Sequence, residues 1–278
     1  MDNELKRILN KYGFSFKKAF GQNFLSDETL LSEIVEKSGV NEDTTVLEIG
    51  CGAGALTKEL AKKGKRIIGY EIDTNLKPVL SEVLSGFSNV ELCFKDVMKE
   101  DIEKLEEKLG DNYIIVANLP YYITTPIVMR FVENAKKMKA MVIMVQEEVA
   151  KRFASDRKTS DYGAITVAIN LRGKASIILK VNREKFTPVP NVDSAVVKID
   201  IDRTKNVGVD LNKVRELVRV GFNNRRKTFV NNLMKTYSIK RETAEKFLTD
   251  LGFSLTVRGE ELSADDYVIM SKRLGEYL

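Results

Sequence analysis

Through the first two thirds of the chain, apolar residues fall in short unbroken runs; through the last third they recur at helical spacing. Val46–Ile49, Arg66–Tyr70, Val90–Phe94, Tyr113–Ala117 and Ala140–Val145 predict strands buried in a core. The stretches between them have helical character, Ala55–Lys63 most clearly. Strands alternating with helices predict a parallel sheet. Upstream, a short helix and then a loop reach to about Leu25. A second helix runs from Asp27 to Gly39, with Ser26 or Asp27 as its N-cap. Two later strands, Ala175–Val181 and Ser194–Ile201, have no helix between them and predict an antiparallel edge to the sheet. Past Thr204–Gly208 the pattern becomes helical. Leu211, Val214, Leu217 and Val218 mark one apolar face and Ala244, Phe247, Leu248 and Leu251 another, with Phe229 and Leu233 completing a small bundle. The chain therefore divides into an α/β domain, residues 1–203, and a helical domain, residues 204–278.

The predicted strands end on polar groups. Val46–Ile49 runs into Gly50-Cys51-Gly52-Ala53-Gly54, where glycines permit a tight turn and close approach of backbone to a ligand. The spacing is GxGxG, not the GxGxxG of dinucleotide sites. Glu71 ends the second strand, where a carboxylate accepts ribose hydroxyls, and Asp96 follows the third, placed to accept an adenine amino group. Singly, either acid is equally a solvated loop residue. The fourth strand ends in Asn118-Leu119-Pro120-Tyr121-Tyr122. Carbonyl oxygens on Asn118 and Leu119 suit an exocyclic amine: by accepting its hydrogens they localise the nitrogen lone pair for attack. Pro120 stiffens the turn, and Tyr121 stacks on a flat ring. This arrangement suits methyl transfer to the amine of a base; taken alone, the segment is equally a strand followed by a Pro-containing turn. The segment Phe186-Thr187-Pro188-Val189-Pro190 has two explanations: a rigid crossover with Phe186 in the core, or a second wall of the base pocket opposite Tyr121.

Composition narrows the chemistry. Histidine is absent, which removes the usual general base and the commonest metal ligand. The two cysteines, Cys51 and Cys93, are too few and too scattered for a disulfide framework or a zinc site and fit a reducing cytoplasm. No apolar run is long enough to span a membrane, and the N-terminal segment has no apolar signal core. Apolar residues make up 43% of the 278, enough for an ordinary core. The net charge of +5 is modest, but it is unevenly spread. Lys213, Arg215, Arg219, Arg225, Arg226 and Lys227 face only Glu216 within their span, and Lys6, Arg7, Lys11, Lys17 and Lys18 cluster near the other end. Such clusters are the footprint of phosphate binding; a solvated helix face is the plainer explanation. Arg219, Arg225, Arg226 and Lys227 fall in a segment that reads as helical and are the candidate contacts to nucleic-acid phosphates. The competing role for one of these arginines is to anchor the small helical domain against the larger one.

Taken together, these motifs resemble the S-adenosylmethionine-dependent methyltransferases and, more narrowly, the ribosomal RNA adenine dimethyltransferases of the KsgA type. The likeness runs over nearly the whole chain. It is carried by Lys17–Leu25, by VLEIGCGAGALT from Val46 to Thr57, by NLPYYITTPI, and by VQEEVAKRF and DYGAITV. FTPVPNVDSAVV from Phe186 to Val197 is its most specific block, and RRKTFVNNL and RGEELS follow. Cys51 stands where that family often has Pro, a departure shared with other methyltransferases. The resemblance implies a Rossmann-like methyltransferase sheet with a small C-terminal helical domain. It implies cofactor contacts from Asn23, Leu25, Gly50, Glu71, Asp96 and Asn118, a base grip from Asn118, Leu119, Pro120, Tyr121 and Phe186, and no metal. It further implies dimethylation of N6 on two adjacent adenosines in the 3′-terminal hairpin of small-subunit (16S) rRNA. The partner would be the 30S subunit or its precursor, and the protein a cytoplasmic monomer. Three alternatives share these motifs: a resistance-type large-subunit RNA methylase, a DNA adenine methylase, and a factor acting mainly in ribosome assembly.

Overall fold

The chain is described here as a computed structural model covering residues 3–14 and 23–278. Lys17 and Lys18, and with them the Lys17–Gln22 part of the N-terminal motif, lie outside the described residues. Two compact units form. One takes residues 1–150 and 175–201, the other residues 151–174 and 202–278.

In the first unit, β2 (Thr45–Ile49), β3 (Arg66–Tyr70), β4 (Val90–Cys93), β5 (Ile114–Asn118), β6 (Ala140–Gln146), β7 (Gly173–Val181) and β9 (Ser194–Ile201) make one sheet in the order β4-β3-β2-β5-β6-β9-β7. β2 to β6 run parallel, and β9 lies antiparallel to β6, as the missing helix before it foretold. Val46, Leu47, Ile67, Ile68, Ile115 and Val142 are all buried. Strands covered on both faces need no polar alternation, which is why they read as continuous apolar runs. The crossovers carry α3 (Ala55–Lys63), α4 (Lys77–Val83), α5 (Ile102–Leu109) and α6 (Thr124–Asn134), preceded by α1 (Asn3–Lys11) and α2 (Glu28–Ser38). Asp27 caps α2 by accepting from Leu30 N at 3.1 Å, and Gly39 closes it at φ +83°.

Two predicted loops differ. Phe24–Leu25 (β1) pairs antiparallel with Phe186–Thr187 (β8), matching Phe24 with Thr187 and Leu25 with Phe186, and a 3₁₀ turn at Arg183–Lys185 precedes β8. A two-residue strand is too short to leave a period in the sequence.

The second unit holds the end of α7 (Glu147–Phe153) together with α8 (Ala164–Asn170), α9 (Leu211–Asn223), α10 (Phe229–Tyr237), α11 (Arg241–Asp250) and α12 (Ala264–Arg273). Val214, Leu217, Phe229, Leu233, Phe247 and Tyr267 form its core, as the helical spacing required. Tyr162, Val167 and Leu171 are buried in that same core, which draws residues 151–174 into this unit and makes it discontinuous. A seven-residue helix lying between strands gave no sign of that allegiance. Gly259 is required here. A Cβ on it would stand 2.3 Å from the Gly221 carbonyl oxygen, closer than any side chain permits. The basic segment is corrected: Arg219 lies in α9, but Arg225, Arg226 and Lys227 lie in the turn between α9 and α10, where Asn224 ends one helix and Thr228 caps the next.

Candidate active site

The parallel strands fan outward from β2: β3 and β4 to one side, β5 and β6 to the other. Such a reversal opens a crevice at the carboxyl ends of the strands. Here it holds a cavity of about 170 Å³.

On the β2 side the wall is the glycine turn. Gly50 and Gly52 take φ of +79° and +55°, and a Cβ on Gly52 would come within 3.2 Å of the Phe24 ring. Gly52 N donates to Glu71 Oε2 at 2.8 Å and Asp73 N donates to Oε1 at 2.8 Å. Glu71 is thereby fixed at the tip of β3, 7% exposed, with lone pairs left over on both oxygens. Burial raises its carboxyl above the usual range, against the pull of those two N–H groups. Asp96, at the tip of β4, also borders the cavity; its Oδ1 accepts from Met98 N at 2.9 Å, while Oδ2 takes no hydrogen bond among the described residues.

On the β5 side, Asn118 Nδ2 donates to Asn23 O at 3.3 Å. That contact turns the amide so that Oδ1 is left open; neither it nor the Leu119 carbonyl accepts a hydrogen bond among the described residues. The Leu119 side chain is buried and anchors the turn. Pro120 O accepts from Ile123 N and from Thr124 Oγ1, each at 3.1 Å, which closes the turn onto α6. The Tyr121 hydroxyl is moored 3.1 Å from Ser194 Oγ at the start of β9.

The structure thus brings together Asn23, Leu25, Gly50, Glu71, Asp96, Asn118, Leu119, Pro120 and Tyr121 around one cavity. Phe186 borders it too, but as a core residue, 2% exposed and clustered with Leu25, Met144 and Val196. This is the core placement of the crossover reading, and the residue also lines the cavity. Cys51 is buried, its Sγ 3.8 Å from Tyr70 O, and burial pushes the thiol well up, so it offers no nucleophile.

Sequence reasoning missed one residue of the site and one buried acid next to the site in sequence. Leu5 of α1 reaches the cavity wall, and the spacing of Leu5, Ile8 and Leu9 was the available sign that α1 packs inward. Glu48 in β2 is fully buried and its carboxyl oxygens find no hydrogen-bond partner among the described residues. Burial pushes it up to about 8, and the charge of Glu71 adds to the rise. An acid inside an apolar run gave no hint of depth.

The candidate RNA contacts gather elsewhere, in the helical unit. Arg219, Arg226 and Lys227 are exposed and make no ion pair among the described residues. Arg225 is committed differently. Its Nε and Nη2 donate to Glu260 Oε2 at 3.1 and 2.9 Å, and Nη2 also donates to the carbonyls of Ser160 and Tyr162. It braces its own unit through Nε and Nη2, and its side chain stays 44% exposed. At the other end of the chain, Lys11 is paired with Glu82 at 2.6 Å, while Lys6 and Arg7 are exposed.

Comparisons with known proteins agree with this geometry. The family model described as ribosomal RNA adenine dimethylase matches residues 13–275. The ribosomal RNA small subunit methyltransferase A of Bacillus licheniformis is 41% identical over 280 residues, covering 98% of this chain and 96% of its own. Its namesake in Geobacillus thermodenitrificans is 40% identical, covering 97% and 94%. Among solved structures, a dimethyladenosine transferase from Plasmodium falciparum shares the fold at a TM-score of 0.78, with 24% identity, over 91% of this chain and 98% of that one. The 23S rRNA methyltransferase ErmE superposes at 0.69, with 27% identity, over 91% and 100%.

Proposed function

The chain belongs to the ribosomal RNA adenine dimethylase family, and from that premise we propose that it dimethylates N6 of two adjacent adenosines in the 3′-terminal hairpin of small-subunit rRNA. The methyl donor of the family is S-adenosylmethionine, whose sulfonium supplies an electrophilic methyl and its own leaving group. The donor set fits a nucleoside of that kind. Glu71 keeps free lone pairs at the cavity although it is almost fully buried, and the Gly50–Gly52 turn leaves the backbone bare beside it. In this reading Glu71 accepts the ribose hydroxyls, Asp96 Oδ2 takes the adenine amino group, and Asn23, Leu25 and Gly50 line the remainder.

One observation carries the reading. At the tip of β5, Asn118 is tethered by its amide nitrogen, so its oxygen and the Leu119 carbonyl stand as adjacent acceptors at the cavity with no hydrogen bond among the described residues. They hold the two N6 hydrogens of adenine and favour the localised lone pair that attack requires. Tyr121 stacks on the ring, and Pro120 fixes the turn between grip and stack. No histidine is needed, because the nitrogen sheds its proton only after the new bond forms. In the second round one acceptor faces a methyl in place of a hydrogen, so the grip then rests on a single hydrogen bond. A hairpin loop is the fitting target, since its unstacked bases can enter such a cavity. Arg219, Arg226 and Lys227 hold phosphates of the RNA. The partner is the small subunit or its precursor, met by a monomer in the cytoplasm.

The test is transfer from labelled cofactor to unmethylated small subunits, followed by nucleoside analysis. The expected product is N6,N6-dimethyladenosine in small-subunit RNA. Label in large-subunit RNA, in DNA or on cytosine overturns the assignment.

A further inference from the structure

Tyr122 is the residue of the catalytic turn to which no role has yet fallen. Its neighbours are secured: Leu119 is buried, Tyr121 is moored to Ser194, and the turn is closed by the Ile123 and Thr124 contacts to Pro120 O. Tyr122 borders the same cavity, yet it is 63% exposed. Its ring and hydroxyl make no hydrogen bond, ion pair or ring contact among the described residues. The fold gains little from an aromatic ring left in water, so selection for packing does not account for it here. What the turn supplies is position: a flat ring on a fixed backbone, at the lip of a cavity built for a base.

A base splayed into the cavity leaves the base next to it with a bare face. We propose that Tyr122 covers that face, stacking on the base next to the adenosine being methylated. This rests on the functional reading above. It gives one turn two grips, Tyr121 for the target and Tyr122 for the adjoining base, and it suits a substrate in which two modified adenosines are neighbours. The interaction needs a flat π surface, not a hydroxyl.

The experiment compares wild type with Tyr122→Ala, Tyr122→Phe and Tyr122→Leu in steady-state methylation of unmethylated small subunits. Melting temperature and cofactor affinity are read on the same preparations. Tyr122→Ala is expected to raise KM for the subunit about five- to a hundredfold, the range of one lost base–aromatic stack, with most of the loss in KM and not in kcat. Tyr122→Phe should restore KM to within about twofold, while Tyr122→Leu, apolar and of similar bulk but without a π face, should stay near the alanine variant. An unchanged KM in Tyr122→Ala overturns the inference. So does rescue by Leu equal to that by Phe, or a loss of melting temperature and cofactor affinity in step with KM. Active wild type beside an indifferent Tyr122→Ala removes this inference alone. Wild type that leaves small-subunit adenosine unmodified overturns the functional reading and this inference with it.

Discussion

The strand-tip cavity of the sheet unit and the basic turn of the helical unit hold their polar side chains in opposite ways. In the cavity, each group is tethered by one part and left open by another. Glu71 takes two backbone N–H groups and keeps lone pairs; Asn118 gives up its amide nitrogen and keeps its oxygen. In the basic turn, Arg226 and Lys227 are exposed and make no ion pair among the described residues, while Arg225 beside them is bonded through Nε and Nη2 to Glu260 and two carbonyls. A reacting nitrogen must be placed within a few tenths of an ångström, which calls for tethered groups. A phosphate backbone asks only for positive charge nearby, which long mobile side chains supply. The difference separates residues that set rate from residues that set encounter.

The largest effect expected from breaking this contrast is at Asn118. Asn118→Ala removes one of the two N6 acceptors and should lower kcat about a hundred- to a thousandfold, with only a modest loss in cofactor affinity. Single-turnover kinetics beside calorimetry would show it; a loss of affinity with the rate at saturating cofactor unchanged would make Asn118 a cofactor ligand alone. Next is Glu48, buried in β2. With its folded value near 8 and an unfolded value near the ordinary 4.5, the folded state holds the proton more tightly. Glu48 therefore withdraws no stability below about pH 4.5 and progressively withdraws more up to about pH 8, amounting to a few kcal/mol. Glu48→Gln should raise the melting temperature at pH 8 and flatten its decline between pH 5 and 8; an unaltered pH profile would mean that the acid is not buried as the structure has it.

Glu71→Ala comes third. Loss of a hydrogen bond to an ionised group is worth roughly 1.5–3 kcal/mol, so cofactor affinity should fall about tenfold to a hundredfold by calorimetry. Unchanged affinity would contradict the role given to that acid. The smallest effect is at Arg225. Arg225→Gln should cost about 1–2 kcal/mol, a melting temperature lower by roughly 2–8 °C, and leave the salt dependence of RNA binding intact. A changed salt slope with unaltered stability would return Arg225 to the RNA surface.

The same contrast explains what could be read from the sequence. Strand tips were legible because the glycine turn, Glu71, Asp96 and Asn118 each follow an apolar run, and the run gives both the strand and its end. The helical bundle was legible from the spacing of Leu211, Val214, Leu217 and Val218. The β1–β8 ribbon was not, since its two-residue strands hold no period. Nor was the membership of residues 151–174, decided by where Tyr162 and Leu171 bury rather than by any local pattern. Arg225 and Arg226 are the plainest case. They are identical and adjacent in sequence, and only the presence of Glu260 and two carbonyls beside one of them tells a brace from a free cation.

The division of labour between the two regions is tested most directly by titrating RNA binding against salt. The proteins are wild type, Asn118→Ala and the double variant Arg226→Gln, Lys227→Gln, with the 3′-terminal hairpin of the small-subunit RNA as ligand. Each lost phosphate contact lowers the slope of log affinity against log salt by about 0.7–0.9. The double variant should therefore be flatter than wild type by roughly 1.4–1.8 units, and Asn118→Ala should keep the wild-type slope. Equal slopes for wild type and the double variant would contradict the account.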